Sequence, residues 1–127
     1  LRGGLTTKYI DIPELVSSLS FEPYRPDVIK PPRGEAPGLF EYATPAEEFA
    51  LYSARCTASS PPLPIPREKP SIVLCTNGYL LIRDSSGGQC RIAAGESAFV
   101  SADAPEPALQ GTGKGFIATV NACRNAE

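Results

Sequence analysis

Residues 72–100 read IVLCTNGYLLIRDSSGGQCRIAAGESAFV, and this stretch decides the fold class. It contains four short apolar runs, and turn-forming residues separate each run from the next. The runs are residues 72–76, 79–83, 89–93 and 97–100. Apolar runs that recur about every 8–12 residues predict the strands of an antiparallel β-sandwich or barrel. We therefore expect a mainly β chain built around this stretch.

Three turns are predicted between these runs. The Asn-Gly pair at residues 77–78 tolerates positive φ at both positions, so it predicts a two-residue type I′ hairpin. Residues 85–88 (SSGG) predict a looser polar connection, and residues 94–96 (AGE) predict a tight turn that needs its glycine. Because residues 72–75 are apolar without alternation, we expect this strand to be covered on both faces by a second layer.

Length and charge limit the class of protein. The chain has 127 residues, which suits one domain with one core. Its net charge is -2, from 12 basic and 14 acidic residues, so we expect no nucleic-acid partner. No apolar run approaches the roughly 18 residues of a membrane span, and no signal peptide is recognised. The sequence thus predicts a soluble, cytoplasmic protein without a membrane partner.

The chain has no histidine, so the commonest metal ligand and the commonest neutral-pH base are both missing. Its cysteines are widely spaced and form no C-x-x-C pair, which favours buried reduced thiols over disulfides or metal ligation. They are Cys56, Cys75, Cys90 and Cys123. Methionine is absent as well, and the chain opens with Leu1. We expect a piece of a longer polypeptide.

Two cations, Arg2 and Lys8, lie in an opening segment rich in glycine and threonine. Arginine acts as a planar fork and lysine as a point charge, so together they can hold an anionic substrate group. The alternative from spacing alone is that both are solvated surface charges.

A short helix is predicted to begin at Asp11. Asp as N-cap, Pro in the first turn and Glu three residues after the cap are typical of a helix start. Ile12, Leu15, Val16 and Leu19 then share one face over about two turns. Because so short a helix is unstable alone, we expect it to dock on the sheet.

The first half of the chain is rich in proline. Residues 21–37 predict an extended segment that crosses the surface. Residues 38–43 and 49–56 each predict a strand. Residues 59–70 (SSPPLPIPREKP) predict an exposed loop, which is either a plain connector or a proline-recognition peptide.

The end of the chain is predicted to close the sheet. Residues 102–107 predict a bend and residues 108–110 a short strand. The glycines of residues 111–115 lack the spacing and context of a phosphate loop, so they predict a hairpin turn. Residues 116–121 then predict the closing strand.

The order of strands and turns through AAGESAFVSA (residues 93–102) resembles half of a cupin-type β-sandwich. This resemblance implies a cupin-like, jelly-roll-type antiparallel β-sandwich with one short N-terminal helix. In cupins a turn and strand lead to a histidine ligand, but here that region reads ADAPEPALQ (residues 102–110). The resemblance therefore implies no metal site within this chain.

Both ends of the chain resemble one enzyme family. LRGGLTTKYIDIPEL (residues 1–15) resembles the R-A-G-L-T-P-K-x-x-D segment of type I mannose-6-phosphate isomerases and the D-x-P-E-L helix that follows it. GESAFVSADAPEPALQGTGKGFIATVN (residues 95–121) is similar to the end of the bacterial members. The resemblance implies the C-terminal portion of a zinc-dependent isomerase. Such an enzyme interconverts mannose 6-phosphate and fructose 6-phosphate by proton transfer through an enediol.

The same resemblance implies site residues and partners. Arg2 aligns with the family's arginine and is implied as a catalytic residue that stabilises the enediolate or phosphate, while Lys8 is implied as a substrate-binding residue that neutralises the phosphate. Gly3 and Thr7 replace the family's Ala and Pro, which loosens the loop around Lys8. The zinc ligands, a Gln, a Glu and two His, lie upstream and outside this chain. The partners implied are a sugar phosphate and the missing N-terminal catalytic part.

The implied organisation has four parts. Residues 1–20 end the catalytic region, residues 21–37 cross the surface, residues 38–123 form the C-terminal cupin-like domain and residues 124–127 are a frayed tail. Without zinc or a histidine base, the isolated chain is expected to be inactive. The alternative is a non-catalytic, metal-free cupin-like binding or interaction module, which would enclose a pocket of its own.

Overall fold

The structure is a computed structural model that describes residues 4–5, 7–30, 37–46 and 48–121. Within these residues the chain is mainly β, as predicted, and every strand pair is antiparallel. The elements are α1 Ile12–Ser17, β1 Gly38–Glu41, β2 Phe49–Cys56, β3 Leu63–Pro64, β4 Ser71–Arg83, β5 Gln89–Ala93, β6 Ser97–Val100 and β7 Ala108–Val120.

Two long strands, β4 and β7, pair along almost their whole length and organise the sheet. On its other edge β7 pairs with β3 and β2, and β1 lies beyond β2. On its other edge β4 pairs first with β6 and then with β5. Since the buried side chains of both halves form one cluster, the bent sheet folds over itself as two layers around a single core. The predicted cupin-like sandwich with one short N-terminal helix is confirmed.

Strand β4 bends at an irregularity in its register with β7. Cys75 pairs with Gly115 and Asn77 with Lys114, so Thr76 is an extra residue, as in a β-bulge. The extra residue reverses the alternation of side chains along the strand. The buried positions are Ser71, Val73 and Cys75 before the bulge, and Leu80 and Ile82 after it. Both halves of β4 therefore line the same core.

The predicted Asn77-Gly78 hairpin is wrong, because both residues lie inside β4. They pair with Lys114 and Gly113 of β7, and Gly78 has a φ of 71°. A Cβ on Gly78 would lie 2.1 Å from the backbone oxygen of Thr112. The positive φ therefore serves a bulged corner with very close strand contact, and the chain does not reverse there.

The predicted turn at residues 111–115 is also wrong, since β7 continues without a break from Ala108 to Val120. A Cβ on Gly113 would lie 2.3 Å from the backbone oxygen of Asn77, and one on Gly115 would lie 2.2 Å from that of Leu74. These glycines let the backbones of β4 and β7 approach closely at the corner. They mark a packing requirement within a strand, which the sequence alone does not distinguish from a flexible turn.

Both remaining turns of the central ladder are confirmed, but only one of them joins two paired strands. The hairpin between β4 and β5 is confirmed, with Arg83 opposite Gln89. Residues 94–96 do form a turn, closed by the N–H of Glu96 donating to the carbonyl oxygen of Ala93 at 2.9 Å. It joins no hairpin, because β5 and β6 lie one after the other along the same edge of β4.

The expectation that residues 72–75 are covered on both faces is wrong for this chain. Val73 and Cys75 are fully buried, whereas Ile72 is 53% exposed and Leu74 is 39% exposed. The strand alternates between the core and the outside, although both sets of side chains are apolar. One layer covers its inner face, and its outer face is open in the part of the chain that the structure describes.

The predictions for the proline-rich half are confirmed for two strands and corrected for the loop. Strands β1 and β2 lie where residues 38–43 and 49–56 predict them. The loop of residues 59–70 contains β3, which pairs with β7, and Leu63 and Ile65 are buried. This packing makes the segment a connector that is tied to the sheet.

The helix start is confirmed, but the docking of the helix is not. Asp11 accepts a hydrogen bond through Oδ1 from the N–H of Glu14 at 3.0 Å, as an N-cap does. No residue of α1 is buried, and residues 18–30 are exposed without helix or strand. Docking on the sheet is therefore wrong, because none of the described strands covers the apolar face of α1.

The cysteine prediction holds for two of the three cysteines in the described residues. Cys56 and Cys75 are buried and free, and burial raises the pKa of the Cys56 thiol. Cys90 is free but exposed, and it lines a pocket at the surface. Cys123 and the predicted frayed tail lie outside the described residues.

Candidate functional site

Lys8 is exposed and lies three residues before the helix cap at Asp11. Between Lys8 and the start of the chain, Gly4 has a φ of 153° and Leu5 a φ of 52°. A left-handed conformation costs a residue with a side chain about 1–2 kcal/mol, so this segment is locally strained. Arg2 lies outside the described residues. The joint role of Arg2 and Lys8 therefore stays a prediction.

A pocket of about 270 Å³ lies at the surface beside the ends of β4 and β5. Its lining includes Arg83, Asp84, Cys90, Phe99 and Ser101, and it is open to solvent. The Arg83 guanidinium donates to the side-chain oxygen of Gln110 at 3.4 Å. The metal-free binding module predicts an enclosed pocket, and this one does not have that form.

The carboxylate of Asp84 organises the β4–β5 turn. Its Oδ1 accepts from the Ser86 hydroxyl at 2.6 Å, from the Ser86 N–H at 2.9 Å and from the Gly88 N–H at 2.9 Å. These hydrogen bonds, led by that of the Ser86 hydroxyl, lower the pKa of Asp84. The carboxylate is therefore occupied by its own turn, which is the ordinary role of an Asp at such a position.

Asp84→Ala is expected to destabilise the chain more at pH 7 than at pH 3. A carboxyl whose pKa is lowered by folding stabilises the native state above its unfolded pKa of about 3.9, and this contribution is lost as the pH falls below that range. Urea midpoints of both proteins at the two pH values measure the difference. Ser86→Ala removes one donor and should reproduce part of the effect. An equal difference at both pH values would show that the carboxylate charge is not involved.

The described residues do not fit a zinc site. Among them, no group of three or more His, Cys, Asp or Glu stands together in a way that could hold a metal ion. Asp103 instead accepts a hydrogen bond from the Ser101 hydroxyl, which lowers the pKa of its carboxyl. Nor does the described part of the chain contain a helix that is long and apolar enough to cross a membrane.

Sequence reasoning missed the cluster of polar side chains on β4 and β5. The Arg91 guanidinium lies 4.4 Å from the centre of the Tyr79 ring, in a cation–π contact. Arg91 pairs across the hairpin with Leu81, which lies two residues after Tyr79 and on the same face of β4. The signal was available in the predicted hairpin, because its register places these side chains on the same face.

The comparisons with known proteins identify the relatives of the chain. No protein-family model matches it. The chain is 32% identical over 116 residues to the mannose-6-phosphate isomerase of Salmonella typhimurium, and 32% identical over 114 residues to that of Escherichia coli. The chain is homologous to part of mannose-6-phosphate isomerase. Each alignment covers 90% of this chain but only 28% of the isomerase.

The fold supports the same relationship. A crystal structure of the Salmonella typhimurium mannose-6-phosphate isomerase, bound to its substrate and to zinc, matches with a TM-score of 0.71 and 28% identity. The match covers 92% of this chain and 29% of that chain. The resemblance inferred from residues 1–15 and 95–121 is thus confirmed. The coverage is consistent with the predicted C-terminal portion of a mannose-6-phosphate isomerase.

Proposed function

We propose that this chain forms part of a zinc-dependent isomerase that interconverts mannose 6-phosphate and fructose 6-phosphate. One observation carries the proposal: 90% of the chain aligns with the Salmonella typhimurium mannose-6-phosphate isomerase at 32% identity. That enzyme has also been crystallised with its substrate and zinc. The chain spans 28% of that relative. In this proposal the activity belongs to a longer polypeptide of which this chain is one part.

In this proposal, the chain contributes cations and leaves the metal to other residues. Zinc would supply a Lewis acid, and its ligands would lie outside this chain, because the described residues offer no group that could hold it. Lys8 would neutralise the phosphate of the sugar as a point charge. Arg2 would stabilise the phosphate or the negative charge that develops on the enediolate. Exposure of Lys8 agrees with a role toward a ligand outside the described residues.

The isolated chain is expected to show no isomerase activity with mannose 6-phosphate, even with added zinc. It lacks a histidine that could act as a base, and its described residues offer no metal site. A coupled assay that detects fructose 6-phosphate measures this directly. Turnover by the isolated chain would contradict the proposal that the catalytic residues are divided between this chain and further polypeptide.

Lys8→Ala is expected to lower kcat/KM about 10- to 100-fold in a complete enzyme, which corresponds to about 1.4–2.8 kcal/mol. A suitable enzyme is a chimera in which this chain replaces the matched part of the Salmonella typhimurium isomerase. Lys8→Arg keeps the charge and should restore part of the activity, mainly through KM. Lys114→Ala removes an exposed lysine of β7 and serves as the control. If the kcat/KM of the Lys8→Ala enzyme lies within threefold of that of the unmodified chimera, the role of Lys8 is rejected. Arg2→Ala is judged by the same threshold.

A further inference from the structure

One outer surface of the sandwich is apolar across four neighbouring strands. We call it the outer apolar face, and its large exposed members are each 39–68% exposed. They are Phe49 of β2, Ile72 and Leu74 of β4, Phe99 of β6 and Val120 of β7. A contiguous exposed apolar patch of roughly a few hundred Å² is often functional.

The register makes these side chains contiguous. Ile72 pairs with Phe99 on one side and with Ala118 on the other, and Ala118 pairs with Leu51. These four residues form an unbroken row across β6, β4, β7 and β2. Phe49 and Val120 pair directly in the next row. None of these rows contains a charged side chain.

The other half of the same outer surface is polar, which shows that the apolar composition is local. After the bulge at Thr76, β4 and its neighbours present Tyr79, Arg83 and Arg91 outward. Arg91 stacks on Tyr79, and Arg83 bonds to Gln110. One strand, β4, therefore carries an ordinary solvated surface on one half and an uncovered hydrophobic surface on the other.

The size of the face argues against a second copy of the chain as its partner. It spans four strands, about 14 Å, and about three rows, roughly 13 Å, so its area is on the order of a few hundred Å². A stable interface between separate proteins buries about 800 Å² on each partner. A covering layer that is covalently joined to the chain needs less area, because the linkage raises its effective concentration.

The coverage of the relatives supplies a candidate for that layer. About 70% of the Salmonella typhimurium isomerase chain lies outside the part that matches this one. The segment before the sheet points to the same partner, since no side chain of residues 4–5 and 7–30 is buried. Its exposed apolar members include Tyr9, Ile12, Val16, Leu19 and Phe21.

We propose that the outer apolar face packs against the portion of the isomerase polypeptide that this chain does not span. The inference rests on the proposed function, because it takes the longer isomerase as the partner. The covering layer presents apolar side chains to Ile72 and Phe99 and excludes water from the row between β2 and β6. The polar half, with Arg83 and Arg91, remains in solvent.

The test compares the isolated chain with the chimera that carries it in place of the matched part of the Salmonella typhimurium isomerase. Phe99→Lys is expected to leave the melting temperature of the isolated chain within about 2 °C, since Phe99 is exposed there. In the chimera it is expected to lower the melting temperature by about 4–8 °C. The control is Ala93→Lys, because Ala93 is an exposed residue of β5, which pairs with the same edge of β4 in the polar half. This substitution should change the melting temperature of either protein by no more than about 2 °C.

A second measurement does not depend on a destabilising variant. Hydrogen exchange of peptides that contain β6 is expected to be slower in the chimera than in the isolated chain. Equal exchange, or a chimera that is insensitive to both Phe99→Lys and Ile72→Lys, would overturn the proposal. So would a chimera that does not fold as one unit. An isolated chain that dimerises, and that Phe99→Lys makes monomeric, would assign the face to a second copy instead.

These readouts are separate from the test of function. The packing is measured by melting and exchange, and the catalytic role by the effect of Lys8→Ala on turnover. A chimera whose melting temperature falls with Phe99→Lys, but whose turnover is unchanged by Lys8→Ala and Arg2→Ala, would keep the packing and reject the site. A chimera whose turnover falls with Lys8→Ala, but whose melting temperature does not respond to Phe99→Lys, would reject the packing and keep the site.

Discussion

Gly78→Ala is expected to destabilise the isolated chain by at least about 3 kcal/mol, a large fraction of the roughly 5–15 kcal/mol that keeps an ordinary domain folded. Two costs act together at this position. The φ of 71° is unfavourable for alanine, and the new Cβ would lie 2.1 Å from the backbone oxygen of Thr112. Because that oxygen belongs to β7, relief requires the two central strands to separate at the corner.

Two other glycines distinguish these costs. Gly95 has a φ of 89°, but a Cβ there would meet nothing within 4 Å, so Gly95→Ala isolates the conformational cost at about 1 kcal/mol. A Cβ on Gly113 would lie 2.3 Å from the backbone oxygen of Asn77, so Gly113→Ala isolates the steric cost. Urea denaturation measures all three. Equal losses for Gly78→Ala and Gly95→Ala would mean that close approach of β4 and β7 is not important.

The corner also shows why the sequence predicts some elements and not others. The cap at Asp11, strand β2 and the β4–β5 hairpin depend on neighbouring residues, and all three are confirmed. Asn77-Gly78 is different, because the same pair suits a two-residue hairpin and a bulged bend. The choice depends on Gly113, which lies more than thirty residues away and whose own sequence context predicts a turn.

The outer apolar face escaped prediction for a related reason. Ile72 and Leu74 lie between Val73 and Cys75 in an uninterrupted apolar run, so the sequence indicates burial without telling the two faces apart. The bulge at Thr76 fixes which of these two sets of side chains faces the core, and the neighbouring residues do not indicate the bulge. The prediction that both faces are covered is wrong for this chain alone. It agrees with the proposed packing against further polypeptide.

For the candidate site, the sequence predicts the residues, but it does not establish their roles. A short motif and a family resemblance predict Lys8 and Arg2 as site residues, and the relationship to mannose-6-phosphate isomerases is confirmed. Their roles need the substrate and the zinc ligands, which the sequence of this chain does not contain. By contrast, the contact of Arg91 with Tyr79 follows from the register of the β4–β5 hairpin, which the sequence does predict.

Ile117→Ala is expected to cost about 2–5 kcal/mol, because Ile117 is completely buried in the core on β7. The matched control is Ile72→Ala on the neighbouring strand β4, where the same side chain points outward and is 53% exposed. That change should cost about 1 kcal/mol or less in the isolated chain. Denaturant midpoints with unchanged slopes measure both losses.

The pair tests the assignment of inner and outer faces on which the packing proposal depends. Both residues are β-branched, lie on central strands and lose the same atoms, so propensity and volume cancel in the comparison. If the two substitutions cost the same, the alternation along β4 before Thr76 would be wrong. The outer apolar face would then be part of the core, and no further layer would be needed to cover it.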